Sequence, residues 1–264
     1  MMKKALLVIS FGTSYPEALE KNIVACEQTL AAAHPDRDCF RAFTSYMIIK
    51  KLARRDNLHI NNPQQALQAL YEQGYDDVLV QSLHIINGDE YEKVATQVNA
   101  YQDKFTRLDF GQPLLTSHAD YEQLITALEH QCPTLQSDER LVLMGHGTTH
   151  YTFSTYACLD HMLTAKGSPM MVGAVESYPE IDTLIDRLKA QNVKKAYLMP
   201  LMLVAGDHAI NDMASDEEDS WKTQLIEAGI EAMPIVQGLG ENPLIRDMFV
   251  QHLADAITDA QEAA

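Results

Sequence analysis

The stretch LLVISFGTS (residues 6–14) recurs later in the chain as LVLMGHGTT (residues 141–149). In both copies an apolar run stops at a small residue and a Gly-Thr turn follows, which is typical of a buried strand that runs into a loop. Three more junctions recur in the same order. They are residues 41–52 with 173–184, 78–90 with 196–208, and 113–125 with 234–246. Four matches in one order predict two copies of one fold.

Helix-like segments separate the strand-like runs in each copy, and this alternation is typical of a parallel sheet covered by helices. We therefore expect an α/β protein with two similar lobes and a cleft between them. The segment GQPLLTS (residues 111–117) is taken as the last strand of the first lobe. A polar stretch with a proline near residues 120–140 indicates the boundary. The predicted lobes are residues 1–128 and residues 129–264.

The composition excludes some classes of function. The chain has 264 residues, a formal net charge of −17 and a pI of about 4.8, so it lacks the basic surface that nucleic-acid binding requires. The longest apolar run, near residues 196–206, is too short to cross a bilayer. The start of the chain is interpreted as a strand and not as a leader. Four scattered cysteines are expected to be reduced and mostly buried, which favours a cytoplasmic protein.

Matched positions in the two copies differ where ligands usually bind. In open parallel sheets the binding crevice lies beyond the carboxyl ends of the strands. At these ends the first copy has an aromatic, a hydroxyl and a carboxylate, and the second copy has an imidazole, a carboxylate and an imidazole. The matched pairs are Phe11 with His146, Thr44 with Glu176, and Glu90 with His208.

The second set of side chains predicts a metal site. Two imidazoles and one carboxylate suit a divalent transition ion such as cobalt, nickel, iron or zinc. Gly145 and Gly147 flank His146 and are expected to form a tight turn that leaves the imidazole free to project. A histidine phosphotransferase is disfavoured, because Met144 and not arginine precedes the Gly-His pair.

Other residues near the strand ends are candidates for binding the substrate. The turns after the first strand of each copy could cradle an anion with backbone N–H groups. His84 lies beside Glu90 in sequence and is a candidate for a supporting role. The predicted substrate-binding set is Phe11, Gly12, Thr13, Ser14, Thr44, Ser45 and His84. No phosphate-binding P-loop pattern occurs, so no nucleotide is expected.

A basic cluster stands out in this acidic chain. The segment IIKKLARRD (residues 48–56) carries Lys50, Lys51, Arg54 and Arg55. Two interpretations stay open at this point. The cluster is either a solvated helix face or a set of cations that holds carboxylates of an anionic substrate.

Several of these motifs together resemble a known enzyme family. They are SFGTS, RAFTS, QSLHIINGDEY, MGHG, VESYP and PLMLVAGDHAINDMASD, and the resemblance covers about residues 3–255. The sequence is similar to the single-subunit, ATP-independent sirohydrochlorin cobaltochelatases of anaerobic cobalamin synthesis, which are related to ferrochelatases. The resemblance implies two flavodoxin-like lobes, a tetrapyrrole cleft between them, and a final helix that folds back on the first lobe.

The resemblance also implies roles for the residues that the repeat singles out. It implies that His146 and His208 are the essential pair, that Glu176 completes the metal site, and that Glu90 faces this site from the other lobe. The implied substrates are sirohydrochlorin and divalent cobalt.

The expected mechanism holds cobalt on one face of the ring. The ring nitrogens then displace the protein ligands, and a freed histidine accepts a pyrrole proton with the help of Glu90. Two alternatives stay open: insertion of iron or nickel into the same ring, and a protein that binds the tetrapyrrole or metal without catalysis. The sequence does not decide whether the protein is a homo-oligomer.

Overall fold

Two compact units make up the chain in the computed structural model, which describes residues 2–262 and side chains as far as residue 260. The first unit contains Met1–Asp120 together with Pro243–Ala264, and the second contains Tyr121–Asn242. Each unit has one four-stranded sheet whose strands are all parallel.

The first unit is built on four strands in the spatial order β2-β1-β3-β4. Its strands are β1 Lys3–Ser10, β2 Asp38–Phe43, β3 Tyr75–Ser82 and β4 Arg107–Gly111. Its helices are α1 Pro16–Ala18, α2 Ala25–Ala33, α3 Tyr46–Asp56, α4 Pro63–Glu72, α5 Asp89–Asn99 and the C-terminal α10 Pro243–Glu262. A π-helical segment, Leu19–Val24, joins α1 to α2, and Gln102–Lys104 forms a 3-10 turn.

The second unit repeats this arrangement in the spatial order β6-β5-β7-β8. Its strands are β5 Glu139–Gly145, β6 Met170–Ala174, β7 Lys195–Pro200 and β8 Glu231–Pro234. Its α-helices are α7 Ser154–Ala165, α8 Ile181–Ala190 and α9 Trp221–Glu227. A π-helical turn, Ala209–Met213, and two 3-10 turns, Tyr151–Phe153 and Leu239–Glu241, complete the unit. The remaining helix, α6 His118–Gln131, runs across the division between the units.

The shared strand order confirms the predicted doubled α/β fold. In each unit the first strand lies in the middle of the sheet, and residues 5–9 of β1 and residues 141–145 of β5 are all buried. A strand that is covered on both faces by helices is apolar along its whole length, which explains why these two runs are the clearest signal in the sequence.

The structure places the division between the units elsewhere than the sequence does. The predicted boundary after residue 128 lies inside α6, whereas the units divide after Asp120. The polar composition of the segment that ends α6 indicated a linker, but the helix continues through it to Gln131. The predicted second lobe also included the last helix, α10 Pro243–Glu262, which belongs to the first unit, in keeping with the fold-back that the resemblance implies.

The last strand of the first unit is also displaced from its predicted position. The sheet ends with β4, Arg107–Gly111, and not with the predicted segment at residues 111–117. Pro113 has no N–H to donate to a ladder. The chain after β4 instead forms a loop in which the Leu114 and Leu115 N–H groups bond the carbonyls of His84 and Ile85.

A buried polar contact anchors α10 in the first unit. This helix packs against β4 and α2 and buries Phe249 and Leu253 completely. On the same helix, His252 Nε2 lies 3.0 Å from Asp120 Oδ1, and both side chains are nearly buried. Burial raises the pKa of Asp120, but hydrogen bonds from His252 and from backbone N–H groups outweigh burial and hold the pKa below its ordinary value.

The cysteines differ in part from their expected state. All four are free thiols, but only Cys26 is buried, and Cys39 and Cys158 are exposed. The expectation that most of them are buried is therefore wrong. Burial raises the pKa of the Cys26 thiol to about 12, which makes it unreactive at neutral pH. Within the described residues, no helix has both the length and the apolar character that crossing a bilayer requires.

Candidate metal centre

Three side chains of the second unit converge at the carboxyl edge of its sheet. His146 directly follows β5, Glu176 lies just beyond β6, and His208 lies in the first helical turn after β7. One potential ligand atom from each of the three lies within 4.8 Å of the other two. The two imidazole rings meet edge to face, with centroids 4.5 Å apart and planes at 83°. The three strand-end positions singled out by the repeat therefore form one cluster.

The cluster has the size and openness of a site for a divalent ion. A transition metal binds nitrogen and oxygen ligands at about 2.0–2.2 Å, so two ligands on opposite sides of the ion lie about 4.2 Å apart. The measured spread of up to 4.8 Å is close to this value. The side chains of His146, Glu176 and His208 are 44%, 54% and 33% exposed. Three protein ligands in a partly open site leave coordination positions for atoms of a substrate.

Hydrogen bonds at Nδ1 fix the tautomer of each imidazole. His146 Nδ1 lies 2.9 Å from the carbonyl oxygen of Gly147. A carbonyl only accepts, so Nδ1 carries the proton and Nε2 keeps the lone pair that a metal needs. The same Nδ1 lies 3.7 Å from Glu176 Oε2, which brings the carboxylate beside the ring.

Gly147 allows the chain after β5 to approach Glu176. Its φ of +88° lies in the left-handed region, and a Cβ here would lie 2.8 Å from the backbone nitrogens of both Glu176 and Ser177. Only glycine fits this approach without strain. The expected tight turn is therefore made at Gly147, whereas Gly145 ends β5 and leaves space that the Tyr156 ring fills.

Asp212 is a residue of the cluster that the sequence reasoning missed. Its Oδ2 accepts a hydrogen bond from His208 Nδ1 at 2.5 Å. The contact is made within one helical turn, at spacing i,i+4. Because the carboxylate holds the proton on Nδ1, Nε2 of His208 keeps the lone pair that a metal needs. A histidine followed four residues later by an aspartate in a helical segment was the signal available in the sequence.

We expect Asp212→Ala to lower the rate of the metal insertion that the resemblance implies by about 10- to 100-fold, because removing a carboxylate that orients a ligand imidazole has effects of this size. Asp212→Asn keeps an acceptor oxygen and should recover part of the rate. Glu218→Ala removes the same charge from an exposed position nearby and should leave the rate unchanged. Insertion rates measured for the three variants test this, and full activity in Asp212→Ala would contradict the orienting role.

The matched residues of the first unit have a different chemistry. Phe11 is 48% exposed at the end of β1. Glu90 lies in the first turn of α5, and its Oε1 accepts a bond from Lys93 at 2.7 Å. Partial burial raises the pKa of Glu90, but Lys93 and the Thr44 hydroxyl beside it outweigh burial and lower the pKa below its usual value. Glu90 is therefore an ionised carboxylate at neutral pH.

Several residues predicted to bind substrate make hydrogen bonds or packing contacts within the first unit. Thr13 and Ser14 are buried, and Thr13 Oγ1 accepts a bond from the Tyr15 N–H. Ser45 is buried at the N-terminus of α3, where its Oγ caps the Ile48 N–H. Gly12 has a φ of +94° and packs against the Phe43 ring, as Gly147 packs against Glu176. The structure therefore gives the hydroxyls of Thr13 and Ser45 a structural use.

His84 is held as a neutral imidazole beside Glu90. Its Nδ1 lies 2.8 Å from Ser82 Oγ, and its Nε2 is buried. Burial lowers the pKa of His84 to about 4, although the nearby charge of Glu90 acts in the opposite direction. At neutral pH, therefore, this imidazole carries no charge.

Comparison with known proteins identifies the family. The family model described as cobalt chelatase (CbiK) matches residues 4–258. The chain belongs to this family. It is 62% identical over 263 residues to the sirohydrochlorin cobaltochelatase of Salmonella typhimurium, with both chains covered completely.

More distant relatives agree with this assignment. The chain is 32% identical to sirohydrochlorin cobaltochelatase CbiKC of Nitratidesulfovibrio vulgaris, over 98% of this chain and 92% of the relative. Among solved structures, SirB from Bacillus subtilis with Fe3+ superposes with a TM-score of 0.63 at 14% identity, over 99% of this chelatase-family chain and 98% of SirB. That structure supports the fold alone.

Proposed function

We propose that this protein inserts Co2+ into sirohydrochlorin. The observation that carries the proposal is the cluster of His146, Glu176 and His208, whose donor atoms lie within 4.8 Å of one another in a chain that is 62% identical along its whole length to a sirohydrochlorin cobaltochelatase. Cobalt is a substrate in this reaction and not a resident cofactor. The reaction joins the ion to four ring nitrogens and releases two pyrrole protons.

The three ligands hold the ion weakly enough to be replaced. Two neutral imidazoles and one carboxylate give a divalent ion a partial coordination shell, and their exposure leaves the remaining positions open. The three protein ligands leave as the four ring nitrogens bind the ion. Asp212 and the Gly147 carbonyl keep the imidazoles oriented during this exchange.

Glu90 and a released imidazole accept the two protons. Nε2 of His146 or His208 becomes free when the ion leaves it, and a neutral imidazole accepts a proton near neutral pH. The support for Glu90 is its position in the first helical turn after β3, which matches that of His208 after β7, and its ionised carboxylate. The Glu90 side chain is 36% exposed, so it can release the accepted proton to water.

Cobalt is favoured over iron and nickel by the family to which the chain belongs, since the donor set alone suits all three ions. We also propose that the reaction takes place in the cytoplasm. The support for this location is that all four cysteines are free thiols, two of them exposed, as is usual in a reducing compartment.

An absorbance scan of the purified protein with sirohydrochlorin and Co2+ tests the proposal. We expect the bands of the metal-free ring to be replaced by those of the cobalt complex at a rate proportional to the protein concentration. Competition with Fe2+ and Ni2+ on the same ring should leave cobalt the preferred ion. A ring that binds to the protein and never gains the metal would favour the non-catalytic alternative.

A further inference from the structure

The outward face of α3 carries a basic patch, which we define as Lys50, Lys51, Arg54 and Arg55. The helix is strongly two-sided: Leu52 is buried and Ile48 and Ile49 are half-buried, whereas the four cationic side chains are exposed. Together with Met47 they line a shallow surface groove of about 450 Å3. Residues spaced three and four apart lie on one helix face, so the patch forms one continuous stripe.

Three of the four cations of the patch have no carboxylate partner, whereas Arg55 pairs with Asp56. Lys50 Nζ lies 4.3 Å from the centre of the Tyr46 ring, and Lys51 Nζ lies 5.7 Å from the centre of the Tyr15 ring. Among the described residues, neither lysine nor Arg54 forms an ion pair with a carboxylate. Three uncompensated cations on one face are unusual in a chain with a net charge of −17, where most surface charge is negative.

The patch borders the edge of the sheet where ligands of this fold class bind. α3 begins directly after β2, at the carboxyl end of that strand. Arg55 Nη2 donates to the carbonyl oxygen of Ser14 at 2.6 Å, which ties the far end of α3 to the loop after β1. In open parallel sheets this edge is where the binding crevice lies.

Exposed apolar side chains accompany the cations. Tyr46 and Met47, in the first turn of α3, are 64% and 80% exposed, and Phe11 in the neighbouring loop is 48% exposed. A ligand that uses the whole surface therefore has an apolar body and several negative charges at its periphery. A tetrapyrrole with acetate and propionate side chains has this chemistry.

We propose that the α3 basic patch binds the peripheral carboxylates of the tetrapyrrole substrate, with Tyr46 and Met47 contacting its apolar part. This inference rests on the proposed function for the identity of the ring. A polycarboxylate is repelled by most of a protein with a net charge of −17, so a local group of cations both attracts the ligand and orients it.

The test uses the triple variant Lys50→Gln, Lys51→Gln, Arg54→Gln and the metal-free ring as the probe. We expect the Kd for metal-free sirohydrochlorin, measured by fluorescence titration, and the KM for insertion to rise at least about 10-fold. The kcat should change by less than about twofold, because none of the three substituted residues is a donor of the metal cluster. Raising the salt concentration should weaken binding to the wild type more than binding to the variant.

A matched control removes the same charge elsewhere. Lys166, Lys189 and Lys194 are exposed in the second unit, and they lie at helix or loop ends next to the amino edge of the sheet. The triple glutamine variant at these positions should bind the ring as the wild type does. Equal loss in both triple variants would mean that only net charge matters, and this would overturn the proposal.

Two further outcomes separate the possible failures. Wild-type affinity in the α3 variant would overturn the role of the patch, and so would a change in its sedimentation coefficient, which would make the face a contact between copies of the chain. If the wild type binds the ring but inserts no cobalt, the proposed function fails, and the titration with the metal-free ring still tests the patch.

Discussion

A His146→Ala variant should insert cobalt into sirohydrochlorin more than about 100-fold more slowly than the wild type. The substitution removes one of the three donors in the cluster and the ring that packs edge to face on His208. Loss of a group that only orients a ligand already has effects of 10- to 100-fold, so loss of the ligand itself should exceed them. Initial rates at saturating ring and cobalt concentrations measure the effect.

Two comparison variants show whether the loss of activity is specific to the metal cluster. His161→Ala removes an exposed imidazole from α7 of the same unit and should keep full activity. Glu90→Gln should still bind cobalt in the absence of the ring, because Glu90 is not one of the cluster's donors, but should insert it more slowly. Cobalt binding, followed by the visible absorption of the ion, should be lost in His146→Ala. Near-normal insertion by His146→Ala would contradict the proposed mechanism.

The sequence predicted the cluster because the internal repeat relates positions that are far apart along the chain. Glu176 and His208 are far from His146 along the chain, and no local motif connects them. Their matched positions at the ends of parallel strands placed them at one edge of one sheet, and the structure brings them together there. Their assignment as metal ligands stays a prediction.

Asp212 was missed because comparing the two copies reports differences at strand ends only. The role of Asp212 depends on the helical turn after β7, which brings its carboxylate to His208 Nδ1.

The internal repeat also did not show that the hydroxyls of Thr13 and Ser45 are used within the fold. Their hydroxyls looked available in the sequence, but in the structure they bond backbone groups of their own loops, as small polar residues at turns and caps commonly do.

The boundary between the units and the last strand of the first unit were predicted at the wrong positions, for a physical reason. Composition marks where a chain is polar, and the exposed face of a helix is as polar as a linker. α6 continues through the predicted boundary, and Pro113 ends the pairing of a segment that reads as a strand. α10 is joined to the first unit by contacts distant in sequence, such as that between His252 and Asp120, which no local pattern shows.

The contact between His252 and Asp120 predicts the second large effect: His252→Ala should lower the free energy of unfolding by about 3 kcal/mol, the usual order of cost when a buried charged acceptor loses its donor. The variant leaves the Asp120 carboxylate buried without its partner imidazole, which lies 3.0 Å away and is only 8% exposed. In thermal unfolding the midpoint should fall by roughly 10 °C. Hydrogen exchange should show earlier opening of α10 than of β5.

The pH dependence of stability distinguishes loss of the hydrogen bond to the Asp120 carboxylate from loss of packing. Hydrogen bonds hold the pKa of Asp120 below its ordinary value, so its carboxylate stabilises the fold above about pH 4, and this stability is lost as the pH falls through the lowered pKa. In His252→Ala, burial acts without the imidazole, so Asp120 is protonated at a higher pH. The stability difference between wild type and variant should therefore narrow as the pH falls from about 5 through the lowered pKa of Asp120. A difference that stays constant over this range would mean that the imidazole acts only by filling space, and His252→Gln, which keeps a donor, would then be no more stable than His252→Ala.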